Sequence, residues 1–392
     1  MLALRLARGS HPVVLLRRLC VAAAAAGTGF LLLSTVGHAA GHPAAADESL
    51  VRLLWCAAPL AATAQFAVST ARTDPAARPQ RGMTAAGLGP LRLTLLATAS
   101  TALTCLFGAV LALVVFFRLR GDLGGSAGAS FGSFGIGSDQ LGAGHPLPLA
   151  GALMLLALVP LTAAAATAVA LRPHDETGAP ETEPLPRTAP PSGLPWGIAV
   201  AAAGLAIEAY AGPATAPHGG LLPLPGRLVG SPPGVLAGWA LSVFGLVLAG
   251  SGLVHLCGRL LCTGRPGALR LLSGRVLQEE SHRLGRPLGV LCAVAAAGYA
   301  AAKIYDASPA RPFGPLTVIG AAVVLACVTA SALTAAVESR AARARTTAAL
   351  RRLGASASVL RGAAALRVLS LVIVMAPLTW TVAEMATLPL TR

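Results

Sequence analysis

Three polar side chains stand inside long apolar stretches of the sequence: Gln65, Glu208 and Glu384. A carboxyl group surrounded by apolar side chains can bind a proton or a cation, because its charge is poorly solvated there. This pattern is typical of carriers that couple transport to protons or cations. The alternative is a structural position, since both glutamates are predicted near the end of a helix, where a side chain can reach water.

The sequence does not carry the motifs of a catalytic site. A phosphate-binding loop would need Gly-Lys followed by Ser or Thr, but the only lysine, Lys303, follows Ala302. The closest pair of the seven cysteines, Cys257 and Cys262, lacks the spacing of zinc ligands and has no companion pair. We therefore expect no catalytic residue, no metal and no cofactor in this chain, and we do not expect an enzyme.

Two arginine-rich segments, 71–93 and 338–362, follow the same pattern. Each leaves an apolar stretch, passes through helix-compatible residues, reaches a Leu-Gly pair and enters the next apolar stretch. Superposing Leu88-Gly89 on Leu353-Gly354 gives an offset of 265 residues and aligns the flanking apolar stretches, which indicates a weak internal repeat. The pattern predicts a short basic helix along the membrane surface, closed by a glycine in the left-handed C-cap conformation.

Such a helix could dock a partner or lie on anionic lipid. Alternatively, the arginines only set the orientation of the chain.

The elements that position these residues are predicted to be membrane-spanning helices. Of the 392 residues 55% are apolar and 11% are charged, and the mean hydropathy is +0.71. A soluble domain carries about 25% charged residues, so a soluble enzyme is excluded. The apolar residues come in long blocks rather than in alternation, which also excludes an outer-membrane barrel. We predict an all-α, polytopic transmembrane helical bundle.

Nine segments are long and apolar enough to cross a bilayer. They lie at about 19–39, 50–70, 94–117, 148–171, 195–212, 234–256, 287–304, 315–337 and 363–386. With the N-terminus in the cytosol, 22 arginines fall in the inside loops against seven basic residues outside. This bias predicts a cytosolic N-terminus and explains the net charge of +15 without nucleic acid.

The first span has an alternative interpretation. Basic residues, an apolar run and Gly37-His38-Ala39 resemble a cleavable secretory signal. The apolar stretch 19–36 is longer than the 7–15 residues usual for a signal, so we expect a retained anchor.

The spans divide the chain into four predicted regions. Residues 1–171 form an N-terminal half with four spans, and 172–194 form a cytosolic linker rich in proline and acidic residues. Residues 195–257 form a two-span connector, and 258–392 form a C-terminal half with three spans.

The second arginine-rich segment carries a family resemblance. Residues 345–356, with the sequence RTTAALRRLGAS, resemble a segment of FtsX-like ABC transporter permeases, and residues 85–90 resemble a diverged copy. Residues 4–10 and 271–277 resemble the amphipathic lead-ins before the first span of each half in this family. The large external domain usual in the family has no counterpart here, and the second half ends one span early.

The resemblance implies a bacterial cytoplasmic membrane protein that works with a separate cytosolic ATPase, which would bind the ATP. It implies that the arginine-rich segments contact this ATPase and transmit its nucleotide cycle to the spans. By position, this coupling role falls on Arg81, Leu88, Gly89, Arg345, Arg351, Arg352, Leu353 and Gly354. Alternatives are an ATPase-independent secondary carrier that uses Glu208 or Glu384, and a structural or regulatory membrane protein without transport. Homodimer formation is left open.

Overall fold

The computed structural model describes residues 12–44, 46–73, 90–122, 141–172, 193–214, 222–224, 228–231, 233–265, 267–306 and 314–391. Within these ranges the chain is almost entirely helical, and nine segments are long and apolar enough to cross a membrane. The predicted all-α, polytopic bundle with nine spans is therefore confirmed. The protein is a multi-pass membrane protein.

The helices are numbered here in chain order. They are α1 (Pro12–Gly41), α2 (Ala46–Trp55), α3 (Ala57–Thr73), α4 (Pro90–Arg120), α5 (Leu149–Ala170), α6 (Gly193–Ala214), α7 (Pro233–Cys262), α8 (Ala268–Asp306), α9 (Pro315–Ala342), α10 (Ala344–Arg352) and α11 (Ala357–Thr391). A small antiparallel hairpin, β1 (Leu222–Leu224) and β2 (Leu228–Ser231), lies between α6 and α7 in the chain. Each span is one helix except the second, which α2 and α3 form together across residues 48–73.

The seventh span differs from its predicted bounds. The sequence predicted a loop over residues 257–286, but α7 continues to Cys262 and α8 already begins at Ala268. Residues 271–277, predicted as a separate lead-in, are therefore part of one helix of 39 residues. The reason is that this stretch is amphipathic: Ser273, Leu277 and Ser281 recur at helical spacing and are buried. Its many charged residues indicated a loop, although one face of the helix is packed.

The contacts divide the chain into two compact units. The first contains α1 to α5 and residues 315–331 of α9, and the second contains α6, α7, α8, α10, α11 and the rest of α9. The chain passes from one unit to the other within the predicted linker 172–194, and again within α9 after residue 331. The four predicted regions and their repeated halves stay a prediction.

In the first unit, α1 is the most buried span, with 67% of its apolar window inside the structure. Its leucines and alanines pack against α3, α4 and α5. Hydroxyl groups add polar contacts between helices: the Oγ1 atoms of Thr28 and Thr63 are 2.8 Å apart, and Thr63 Oγ1 lies 3.8 Å from Cys327 Sγ. Hydrogen bonds between spans are a common source of helix association in membranes, where apolar surfaces alone give little.

In the second unit, glycines bring the backbones of neighbouring spans into contact. A Cβ atom added at Gly245 of α7 would overlap the backbone of Ala201 in α6, and one added at Gly285 of α8 would overlap the backbone of Ser251. α7 is therefore packed closely against α6 on one face and α8 on another. This close approach replaces the bulky core that a soluble bundle would need.

Candidate functional site

The second arginine-rich segment forms the short helix that the sequence predicts. α10 has nine residues, and Gly354 follows it with a φ of +92°. The Gly354 N–H donates to the Arg351 carbonyl at 3.1 Å and the Ala355 N–H donates to the Leu350 carbonyl at 3.0 Å. These two bonds are the Schellman motif, so the predicted glycine C-cap is confirmed at this position.

The connection from α10 to the last span is short and ordered by hydrogen bonds. Only residues 353–356 separate α10 from α11. The Val359 N–H donates to the Ser356 Oγ at 3.4 Å, which places Ser356 as the N-cap of α11. Because this connection is short, a displacement of α10 would be transmitted directly to α11.

The end of α10 presents charge and apolar surface together. Arg351 and Arg352 are exposed, and Leu353 has 83% of its surface exposed. We name residues 351–354 the α10 tip. An exposed leucine between arginines and a capping glycine is suited to contact with a partner surface or a lipid surface.

An ion pair joins the start of α10 to a neighbouring span. Arg343 Nε lies 2.8 Å from Glu280 Oε1 of α8, and the side chains are 25% and 11% exposed. Arg343 also donates from Nε to the Ser339 carbonyl and from Nη2 to the Ser339 Oγ, both at 3.0 Å. The arginine thus links α8, α9 and α10 at one point.

Sequence reasoning missed this pair because Glu280 was assigned to a loop. The signal that could have found it is the helical spacing of Ser273, Leu277, Glu280 and Ser281, which places one glutamate on the buried face of an amphipathic helix. An ionised carboxylate on a buried face is stabilised by a cationic partner nearby.

The structure does not describe all of the residues to which the sequence assigns a coupling role. Arg81, Leu88 and Gly89 of the first arginine-rich segment lie outside the described residues, as does the side chain of Arg345. The pairing of the two segments therefore stays a prediction.

Glu208 is the most buried of the three polar residues predicted within spans. It is 1% exposed and lies between α6 and α7, where the Ser242 Oγ donates to its Oε1 at 3.1 Å. Within the described residues, its Oε2 has no hydrogen-bond partner. Gly238 makes room for it, because a Cβ there would lie 2.6 Å from Glu208 Cγ. The close helix pair thus encloses one carboxyl group.

The other two polar residues have different surroundings. Glu384 accepts from Lys303 Nζ at 2.6 and 2.7 Å and from the Tyr299 hydroxyl at 2.9 Å. Glu384 and Lys303 are 30% and 43% exposed, so this is an accessible ion pair between α8 and α11. Gln65 lies on the exposed face of α3. The structure therefore gives the three residues separate environments.

Comparison with known proteins finds no matching protein-family model, no matching curated protein and no matching solved structure. The resemblance to FtsX-like permeases therefore stays a hypothesis that rests on the residues themselves.

Proposed function

We propose that the protein is the permease subunit of an ABC-type complex of the FtsX-like kind, and that a separate cytosolic ATPase docks on α10. The observation that carries the proposal is the construction of α10: a short basic helix with an exposed tip, closed at Gly354 and fixed to α8 through Arg343 and Glu280. The sequence of this helix is also where the family resemblance lies.

The connections of α10 support a mechanical role. α9 precedes α10 directly, residues 353–356 lead into α11, and the Arg343–Glu280 pair joins it to α8. A force applied at the α10 tip would act on α8, α9 and α11 at once. A loop that only sets orientation would need no such attachment, because the positive-inside effect depends on charge and position alone.

The charge of the tip predicts the character of the docking surface. Arg351 and Arg352 are adjacent and exposed, so a complementary ATPase surface would be acidic. Leu353 would fill an apolar depression beside those acids, in the manner of an anchor residue at a protein interface.

Co-purification from native membranes tests the proposal. The tagged full-length protein should retain an ATPase subunit with a phosphate-binding loop, and R351E/R352E should reduce its yield about tenfold, because reversed charges at a docking surface repel. The matched control is R265E/R270E, which makes the same charge change at exposed residues of the α7–α8 turn and the start of α8. Equal yields from the two variants, or no ATPase with the wild type, would refute the proposal.

Glu208 favours a second candidate, a carrier that works without ATP. A carboxyl group that is 1% exposed and has one hydroxyl partner is suited to binding a proton or a cation within a span. In ATP-free proteoliposomes under an imposed potential, proton uptake should then be measurable and should collapse in E208Q. E384Q is the control, since it removes an acid that is already paired. Absence of uptake in the wild type excludes this carrier, and a structural or regulatory role remains if the ATPase is absent too.

A further inference from the structure

Two histidines lie side by side at the end of α1. His38 is in the last turn of the helix, and His42 follows the helix directly, with its N–H donating to the His38 carbonyl at 3.0 Å. Residues four apart in this pattern share one face. The two ring centroids are 4.4 Å apart and the ring planes meet at 26°. Histidines at this spacing are known as a ligand pair for transition-metal ions.

A hydrogen bond of the His42 ring leaves one of its nitrogens available to a metal. Its Nδ1 lies 3.2 Å from the His38 carbonyl oxygen. Because a carbonyl oxygen only accepts, Nδ1 must carry the proton in this bond, and the neutral ring then has its lone pair on Nε2. Metal-binding histidines are usually oriented by such a bond from the second ring nitrogen. His42 is exposed, so an ion can approach it from water.

His38 contributes a buried nitrogen that lacks a partner. The residue is 8% exposed, and its Nε2 makes no hydrogen bond within the part of the chain that the structure describes. A buried polar atom without a partner costs free energy. The ring that stacks on His38 is the exposed ring of His42, so movement of His42 alone would give an ion access to this nitrogen. A bound metal would then supply the missing partner.

The surroundings of the two histidines tolerate a cation. α1 ends at Gly41, and the carbonyl groups at the C-terminus of a helix attract positive charge. The neighbouring helix α2 carries Arg52, which would repel a metal ion, but Glu48 pairs with it at 2.9 Å. Among the described residues, no third histidine, cysteine or acidic side chain completes a ligand set with the pair. Water would therefore fill the remaining positions around the ion.

We propose that the Nε2 atoms of His38 and His42 bind one divalent transition-metal ion of the class that imidazole prefers, namely Cu²⁺, Ni²⁺ or Zn²⁺. Two nitrogens at about 2.1 Å from a tetrahedral metal lie about 3.4 Å apart, so the two rings tilt toward each other at their Nε2 edges. With only two protein ligands, the ion exchanges with solution. This site departs from the sequence prediction that the chain holds no metal.

Cu²⁺ binding to the full-length protein, purified in detergent with a tag that contains no histidine, tests the site. Cu²⁺ is the probe because it binds nitrogen ligands most tightly in the divalent series. Below one equivalent, the electron paramagnetic resonance spectrum of the wild type should show coupling to two nitrogens. H42Q should bind about 100-fold more weakly, because one of two linked ligands is lost. The matched control H145Q removes another exposed histidine and should keep the wild-type affinity.

A second variant separates a ligand from a structural residue. H42E replaces the imidazole with a carboxylate, which can still bind the ion, so its affinity should lie between those of the wild type and H42Q. Its spectrum should show coupling to one nitrogen. The proposal would be overturned if the wild type bound no Cu²⁺ or if H42Q and H145Q had equal affinities. An H42E variant that bound no more tightly than H42Q would also overturn it, because position 42 would then hold no ligand.

Discussion

Arg343 and Glu280 form an ion pair of 2.8 Å that joins the start of α10 to α8, far apart in the sequence and mostly shielded from solvent. Because each side chain has its counter-charge here, removing one leaves the other charge poorly solvated. We expect Arg343→Ala to lower the free energy of unfolding by about 2 kcal/mol, measured by denaturation in detergent micelles. Arg52→Ala breaks an exposed pair with Glu48 in the same helical turn and should cost below about 0.5 kcal/mol. Equal losses would contradict this account.

Gly354→Ala should destabilise the protein through the backbone alone. The residue has a φ of +92°, and no atom lies within 4 Å of the position where a Cβ would stand. The expected cost is about 1 kcal/mol, because alanine is strained in the left-handed region. Gly298→Ala in α8 is the matched control, since it also has open space around a Cβ but lies within a helix, and it should stabilise slightly. Thermal unfolding of both variants decides whether the cap geometry is the cause.

The nine spans could be predicted because apolar length is a sufficient signal: a buried or lipid-facing helix needs only a long run without charge. The α10 cap could be predicted for a similar reason, since Gly354 follows a helix-compatible run and glycine is the residue that closes helices in this way. In both cases the residues that determine the structure are neighbours in the sequence.

The Arg343–Glu280 pair and the course of α8 could not be predicted in the same way. Arginines between residues 259 and 286 indicated a loop, but several of them lie on the exposed face of a helix whose other face is packed. The close backbone approach at the glycines of α6, α7 and α8 depends on which helices meet. Such contacts depend on residues that are distant in the chain.

Gly245→Ala tests whether the helix pair α6–α7 depends on backbone approach. A Cβ at this position would overlap the Ala201 backbone, which cannot rotate away as a side chain can. The helices would have to separate, so we expect a loss of about 2 kcal/mol or failure to fold. Gly320→Ala is the control, because its Cβ would lie 3.6 Å from the end of Leu31, an ordinary contact. Size-exclusion profiles and melting temperatures should separate the two variants.

Ser242→Ala should destabilise the second unit by about 1–2 kcal/mol, because the buried Glu208 carboxyl group would lose its donor and keep its desolvation cost. Ser100→Ala is the control, since the Ser100 hydroxyl donates to the Ala97 carbonyl within its own helix. Removing this hydroxyl leaves no buried carboxyl group without a hydrogen-bond donor. Chemical unfolding in micelles measures both. If Ser242→Ala were as stable as the wild type, the hydrogen bond seen at 3.1 Å would not contribute to folding.

The orientation of the chain decides whether an ATPase can reach α10 at all. Ser356 and His145 are exposed and are separated along the chain by five spans, so they must face opposite sides of the membrane. The arginine distribution predicts that Ser356 lies on the cytosolic side. In a variant without native cysteines, His145→Cys should react with a membrane-impermeant maleimide in intact cells, and Ser356→Cys should react only after permeabilisation. The reverse labelling pattern would put the α10 tip on the outer surface, where no cytosolic ATPase could dock.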